Sequence, residues 1–173
     1  MPPFDASRMA LVLVDLMERI AALPLGPRTG SEVVATAARL AGAFRAAGAP
    51  VVLVRAERPG VDVQPPGSGL VAGLVAADDH VLVKRSIGAF QDTGLHELLA
   101  GRGIDTLVFG GIATNLGVES TARAAGDLGY GLVFAEDAMA ALTAAEHRAS
   151  VELDFPRLGT VLAADAVAFA PRP

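Results

Sequence analysis

Several stretches of the chain are apolar almost without interruption, and turn-forming or charged residues fence each one. They are residues 9–15 (MALVLVD), 50–56 (PVVLVRA), 80–85 (HVLVKR), 105–110 (DTLVFG) and 131–137 (GLVFAED), with a weaker sixth at 159–164 (GTVLAA). Short apolar runs that do not alternate with polar residues predict strands buried on both faces, as in parallel sheets. The segments between them carry a helical period. Val33, Ala37, Leu40, Ala41 and Phe44 share one face, Thr29 and Glu32 have capping-box spacing, and Gly48 is a stop. Further helices are predicted over 93–103 (capped by Thr93), over 116–128 (stopped by Gly129) and over 143–155, where Thr143 and Glu146 repeat the capping-box spacing. Residues 57–70 (ERPGVDVQPPGSGL) read as an irregular loop. Strands alternate with helices and no hairpin signal joins two strands. The pattern predicts parallel strands with crossover helices, an open α/β sheet covered on both faces. No linker divides the chain, so residues 1–173 are expected to form one domain.

Composition narrows the chemistry. Of 173 residues, 52% are hydrophobic and 19% charged, which fits a globular chain. With no cysteine, disulfides, a thiol nucleophile and cysteine-built zinc sites are excluded. The formal charge of −5, and no basic run longer than Lys84–Arg85, argue against nucleic-acid partners. The first apolar run is cut by Asp15 after six residues, so neither a signal peptide nor a membrane span is expected, and a cytoplasmic location is. His80, His96 and His147 are scattered and read as surface or half-buried histidines; no metal and no cofactor is expected.

Ligands of open parallel sheets bind outside the carboxyl ends of the strands, where the strand order reverses. In the order 3-2-1-4-5-6, strands 1 and 4 meet at that point. Their ends carry Asp15 and the turn 110–117 (GGIATNLG). An acid after six apolar residues is partly desolvated, which raises its pKa toward acid–base work. The alternative is an acid that merely caps a turn. Lys84 also ends a core strand and is the candidate cation for Asp15; otherwise it is a solvated lysine before a loop. Strand 3 lies two strands away, so the lysine needs its full length to arrive. The turn is not G-x-G-x-x-G and no G-K-[ST] follows, so a nucleotide site is not indicated.

With Asp15, Lys84 and residues 111–123 identified, the sequence resembles the isochorismatase-like, or cysteine, hydrolase superfamily. The likeness spans nearly the whole chain: LVLVDLMERI, the block from VLVKRSIGAFQDTG to GGIATNLGVESTARAAGDLGY, and VFAEDAMAALTAAEH. It implies a three-layer α/β/α sandwich with a six-stranded parallel sheet, a small-molecule substrate, and a homodimer or larger homo-oligomer. The family triad is Asp, Lys, Cys. The first two fall on Asp15 and Lys84; the third falls on Gly117. Covalent amide hydrolysis through a thiol is thereby excluded. The metal cluster of nicotinamidases is also missing from the 57–70 loop. True isochorismatases carry glycine at the same place and cleave a vinyl ether by protonation and attack of water. The run TNLGVESTAR and the PRLG at 156–159 are similar to a branch with that glycine. Met17 stands where the family commonly has glutamine. The resemblance further implies a cis peptide at Ile112–Ala113.

Three functions remain open on this reading. The first is a hydrolase without a covalent intermediate. Asp15 is its acid or base and Lys84 tunes it. Backbone groups of Ala113 and Gly117 orient substrate or a water in the room left by the missing thiol. Leu16, Phe90 and Ile112 line an apolar wall, or are plain core. Arg55 and Arg85 are candidates to hold a substrate dicarboxylate, or are surface residues. The second is a small-molecule binding protein that has lost catalysis. The third is a structural subunit.

Overall fold

Residues Met9–Val14 form the central strand, β1, and none of the six is more than 1% exposed. They belong to a computed structural model that describes residues 3–170. β2 (Val51–Ala56) and β4 (Thr106–Ile112) flank β1, β3 (His80–Lys84) lies outside β2, and β5 (Gly131–Ala140) and β6 (Thr160–Leu162) complete the other side. Every pairing is parallel and the order is β3-β2-β1-β4-β5-β6. The α/β class and the strand order are as the pattern and the resemblance implied. β1 carries no alternation because both of its faces are covered. Leu11 and Leu13 pack on one side with Val33, Ala37, Leu40, Ala41 and Phe44 of the long helix α2 (Gly30–Ala47). Ala10, Val12 and Val14 pack on the other, with Leu95 and Leu99 of α3 (Leu95–Ala100) and Ala122 and Ala125 of α4 (Glu119–Asp127).

α2 begins where its capping residues say it should. Thr29 Oγ1 accepts from Glu32 N, the Glu32 carboxylate accepts from Thr29 N at 2.8 Å, and Gly48 closes the helix at φ 70°. Thr29→Ala removes half of this reciprocal pair. It is expected to cost about 1 kcal/mol, read as a lower urea midpoint with an unchanged slope.

The observed elements depart from the sequence pattern at four places. α3 starts at Leu95 behind Gly94, and Thr93 takes the Leu95 N–H from one residue further out. The helix expected at 116 opens with a wide π turn, Thr114–Val118, before α4. The helix expected over 143–155 splits into α5 (Ala144–Ala149), a π turn (Ser150–Asp154) and α6 (Phe155–Leu158). Pro156 has no N–H for a continuous ladder, and only half of the second capping box forms, because Glu146 turns to the Thr143 hydroxyl. β4 and β5 run past their expected ends to Ile112 and Ala140, across a register shift between Phe109 and Gly111. Gly110 and Gly111 look like a turn in sequence, yet they serve close packing. A Cβ on Gly111 would lie 2.1 Å from Val14 O, and its φ is 131°.

Candidate active site

The carboxyl ends of β1, β3 and β4 converge. Asp15 leaves β1 with φ 54°, a conformation that few residues other than glycine adopt. Two hydrogen bonds hold it there: Asp15 N donates to Val54 O and Met17 N donates to Asp15 O, both at 2.8 Å. Lys84 pairs with Ala56 at the end of β3 and reaches across β2. Its Nζ lies 2.8 Å from Asp15 Oδ2 and donates to Ile87 O at 2.6 Å. The pair is nearly enclosed, with the lysine side chain 3% and the aspartate side chain 13% exposed. Asp15 Oδ1 is buried and accepts no hydrogen bond.

Burial pushes the Asp15 carboxyl above the ordinary carboxylate range; the Lys84 ammonium, and then the Arg19 guanidinium, oppose that rise. The Ala56 N–H also lies close enough to favour the charged form, but geometrically it is donated to Met17 Sδ at 3.4 Å. The fully buried thioether of Met17 therefore occupies the acceptor position beside the acid.

Gly117 sits directly against the ion pair. A Cβ built there would lie 3.0 Å from Asp15 Oδ2, 3.0 Å from Val14 Cγ1 and 3.3 Å from Lys84 Nζ. At the Cβ position itself the space is therefore tight, with the acid and the lysine lying against it, and the unengaged carboxylate oxygen is Oδ1. The Ile112–Ala113 peptide is cis. The Ala113 carbonyl accepts from Leu116 N and Val118 N, and the Gly117 carbonyl accepts from the Thr121 hydroxyl at 2.6 Å. Both carbonyls are thus engaged within the turn.

The three candidate wall residues are not brought together. Leu16 and Ile112 are buried in the core under α2, whereas Phe90 packs in the opposite core, its ring 6.0 Å from that of Tyr130. Arg55 and Arg85 share a single carboxylate. Glu57 holds both, at 2.7 Å and 2.8 Å.

Two residues gain importance. Arg19, one turn beyond Asp15 in α1 (Glu18–Ala21), has a buried Nε with no hydrogen-bond partner. The spacing of four from the acid was the available signal. His147 is buried, not at the surface, because α5 packs on the turn after β4. Its Nδ1 is 2.8 Å from the Thr114 hydroxyl, and burial lowers its pKa. Its other nitrogen is 3.7 Å from Glu136, which Arg28 also holds. Among the described residues no three His, Asp or Glu side chains are grouped to hold a metal ion, and no helix is long and apolar enough to cross a membrane.

A doubly covered parallel sheet with an acid–lysine pair at its switch point is an α/β scaffold of the kind that binds ligands at the carboxyl ends of its central strands. Residues 9–166 match the isochorismatase domain. The chain is 44% identical to the isochorismatase family protein YecD of Escherichia coli O157:H7, over 91% of this chain and 93% of that one. It is 38% identical to YwoC of Bacillus subtilis, another member of that family, over 90% and 89% of the two chains. An isochorismatase family protein of Burkholderia thailandensis has the same fold, with a TM-score of 0.86 at 37% identity over 95% of both chains. The chain belongs to the isochorismatase family of hydrolases.

Proposed function

We propose that this protein hydrolyses a small molecule without a covalent intermediate, with Asp15 as general acid or base, Lys84 as the cation that tunes it, and Gly117 in the place of the family's cysteine. The observation that carries this reading is the enclosed Asp15–Lys84 pair, 2.8 Å apart and pressed against Gly117. A carboxyl whose pKa burial raises holds a proton further up the pH scale than a free one, and can deliver it to a vinyl ether or take one from water. Oδ1 is buried and has no partner within the protein, so a substrate or water that reaches it meets the carboxylate oxygen not committed to Lys84. The family likeness carries two further expectations, a homodimeric or larger assembly and a cytoplasmic location.

Turnover of a panel of vinyl ethers and small amides tests the reading. Hydrolysis of the ethers without burst kinetics supports it. Ligand binding with no turnover of either class favours instead a binding protein on the same scaffold.

Gly117→Cys is a second test. Its Cβ must displace Asp15, Val14 and Lys84 by a few tenths of an ångström. Such overpacking is expected to cost about 1–3 kcal/mol, read in urea denaturation. The new thiol beside the ammonium would be held as thiolate, so release of ammonia from small amides is the expected gain. Unchanged stability would show that the pair does not lie against the glycine.

A further inference from the structure

Two acceptors hold the Lys84 ammonium, Asp15 Oδ2 and the carbonyl of Ile87. The second belongs to residues 86–93, the segment between β3 and α3. Among the described residues, this segment makes no hydrogen bond from backbone to backbone. Side chains hold it instead. Ser86 Oγ donates to Gly88 O, and Thr93 Oγ1 donates to Ala89 O, both within the segment. Thr93 Oγ1 also accepts from Leu95 N at the start of α3. Two bonds alone reach other elements among the described residues. Ile87 O accepts from Lys84 Nζ, and Ala89 N donates to Thr121 Oγ1 at 3.0 Å.

Thr121 lies in α4 and is fully buried. Its hydroxyl accepts the Ala89 N–H and donates to Gly117 O at 2.6 Å. A hydroxyl has one hydrogen and two lone pairs, so the two bonds do not compete. The bond to a carbonyl four residues earlier is ordinary for a helical threonine. The partner 32 positions away is particular to this site. The approach is close: a Cβ on Gly88 would lie 2.9 Å from Ser120 Oγ, so glycine lets the segment rest on the first turn of α4. A ring of contacts results. Gly117 lies against Asp15 and Lys84, Lys84 holds Ile87 O, and Ala89 is tied through Thr121 back to Gly117.

We infer that Thr121 is a positioning residue of the active site: its hydroxyl ties residues 86–90 to the turn that carries Gly117 and so, through Ile87 O, fixes where the Lys84 ammonium stands against Asp15. The inference deepens the hydrolase reading and rests on it only in calling the pair an active site. Without the hydroxyl, the Ala89 N–H is left buried and unpaired. The segment must then move to satisfy it, and Ile87 O moves with it.

Exchange of the Lys84 ammonium hydrogens with water is the direct readout, followed by NMR on the full-length protein in mildly acidic buffer. Lys84 is the one lysine of the chain, so its signal is unambiguous. With two acceptors and 3% exposure, wild-type exchange is expected to be slow. Thr121→Val removes the hydroxyl at nearly constant shape and should speed exchange about 10-fold, the worth of one net hydrogen bond. Thr121→Ser keeps the hydroxyl and should exchange as wild type does. Thr29→Ala, which costs stability at the cap of α2, should leave exchange unchanged. Thr93→Val frees the other side of the Ala89 peptide; it stands in if Thr121→Val does not fold and should speed exchange likewise.

Wild-type exchange in Thr121→Val, or in Thr93→Val where that variant stands in, overturns the inference. So does a wild-type ammonium that exchanges as fast as free lysine. Exchange in Thr121→Ser or Thr29→Ala as fast as in Thr121→Val also overturns it, because packing or global stability would then be the cause. Turnover of a vinyl ether is followed separately. In Thr121→Val, kcat is expected to fall at least about 10-fold with KM unchanged, and to recover in Thr121→Ser; an unchanged kcat overturns the inference. Faster ammonium exchange in Thr121→Val without turnover by the wild type leaves the tie standing and removes the hydrolase reading. Turnover by the wild type with exchange unmoved in Thr121→Val does the reverse.

Discussion

Asp15→Asn is expected to lower turnover by about 10²–10⁴-fold, the usual contribution of a general acid or base, with the fold and substrate affinity retained. Asparagine is nearly isosteric and keeps an oxygen for Lys84, so the enclosed geometry survives while the transferable proton does not. The pH profile then assigns the role. Burial holds the Asp15 pKa above its ordinary 3.8. If Asp15 acts as acid, the rate is full below that raised value and declines as pH climbs through it; if as base, the rate climbs over the same interval. Either limb should lie above the normal carboxylate range and vanish in the asparagine variant. The measurement is kcat/KM against pH for wild type and variant on a vinyl ether that the wild type cleaves. A variant with the wild-type rate would exclude proton transfer by this residue.

Lys84→Met carries the largest expected effect on stability. The lysine is enclosed, and its removal leaves a buried carboxylate with a donor on neither oxygen. Breaking such a pair from one side costs about 3–5 kcal/mol. For a chain of this length that is a fall in Tm of roughly 6–20 °C. The sign of its pH dependence follows from linkage. Burial already places the folded pKa of Asp15 above the unfolded value, and loss of the ammonium raises it further. Between those two pKa values the folded chain holds a proton that the unfolded chain has released, so stability drops as pH rises through the interval. The deficit relative to wild type should therefore be small below about pH 4 and complete above the raised pKa. Parallel urea titrations from acid to neutral pH check this. A deficit independent of pH would mean that the lysine stabilises by packing alone.

Much of this architecture was legible in sequence where a single physical demand dominates. The unbroken runs at β1 and β2 have one explanation, burial on both faces, and Thr29, Glu32 and Gly48 have one at the ends of α2. Asp15 and Lys84 were legible as charges at the ends of core strands, and their meeting follows once β3 lies two places from β1. Other features depend on partners remote in the chain. Gly110 and Gly111 resemble a turn until Val14 is known to press against them. Arg85 looks available until Glu57, 28 positions away, is seen to hold it. Arg19 sits in a helix of four residues, too short for any periodic signal, and its importance comes from Asp15 and the 67–70 loop together. His147 owes its burial to the packing of α5 on the turn after β4.

The contact between Gly111 and Val14 O also bears on how this scaffold can diversify. Any side chain at that glycine would strike backbone, so this point of the floor between the two central strands admits no substitution without moving a strand. The rims are less constrained: no strand ladder runs through the segment from β3 to α3, and the long connection from β2 to β3 is tied by backbone bonds to Leu16, Met17, Glu18 and Arg19 only over residues 67–71. New selectivity on this frame must therefore come from redrawing the rims while the floor stays as it is.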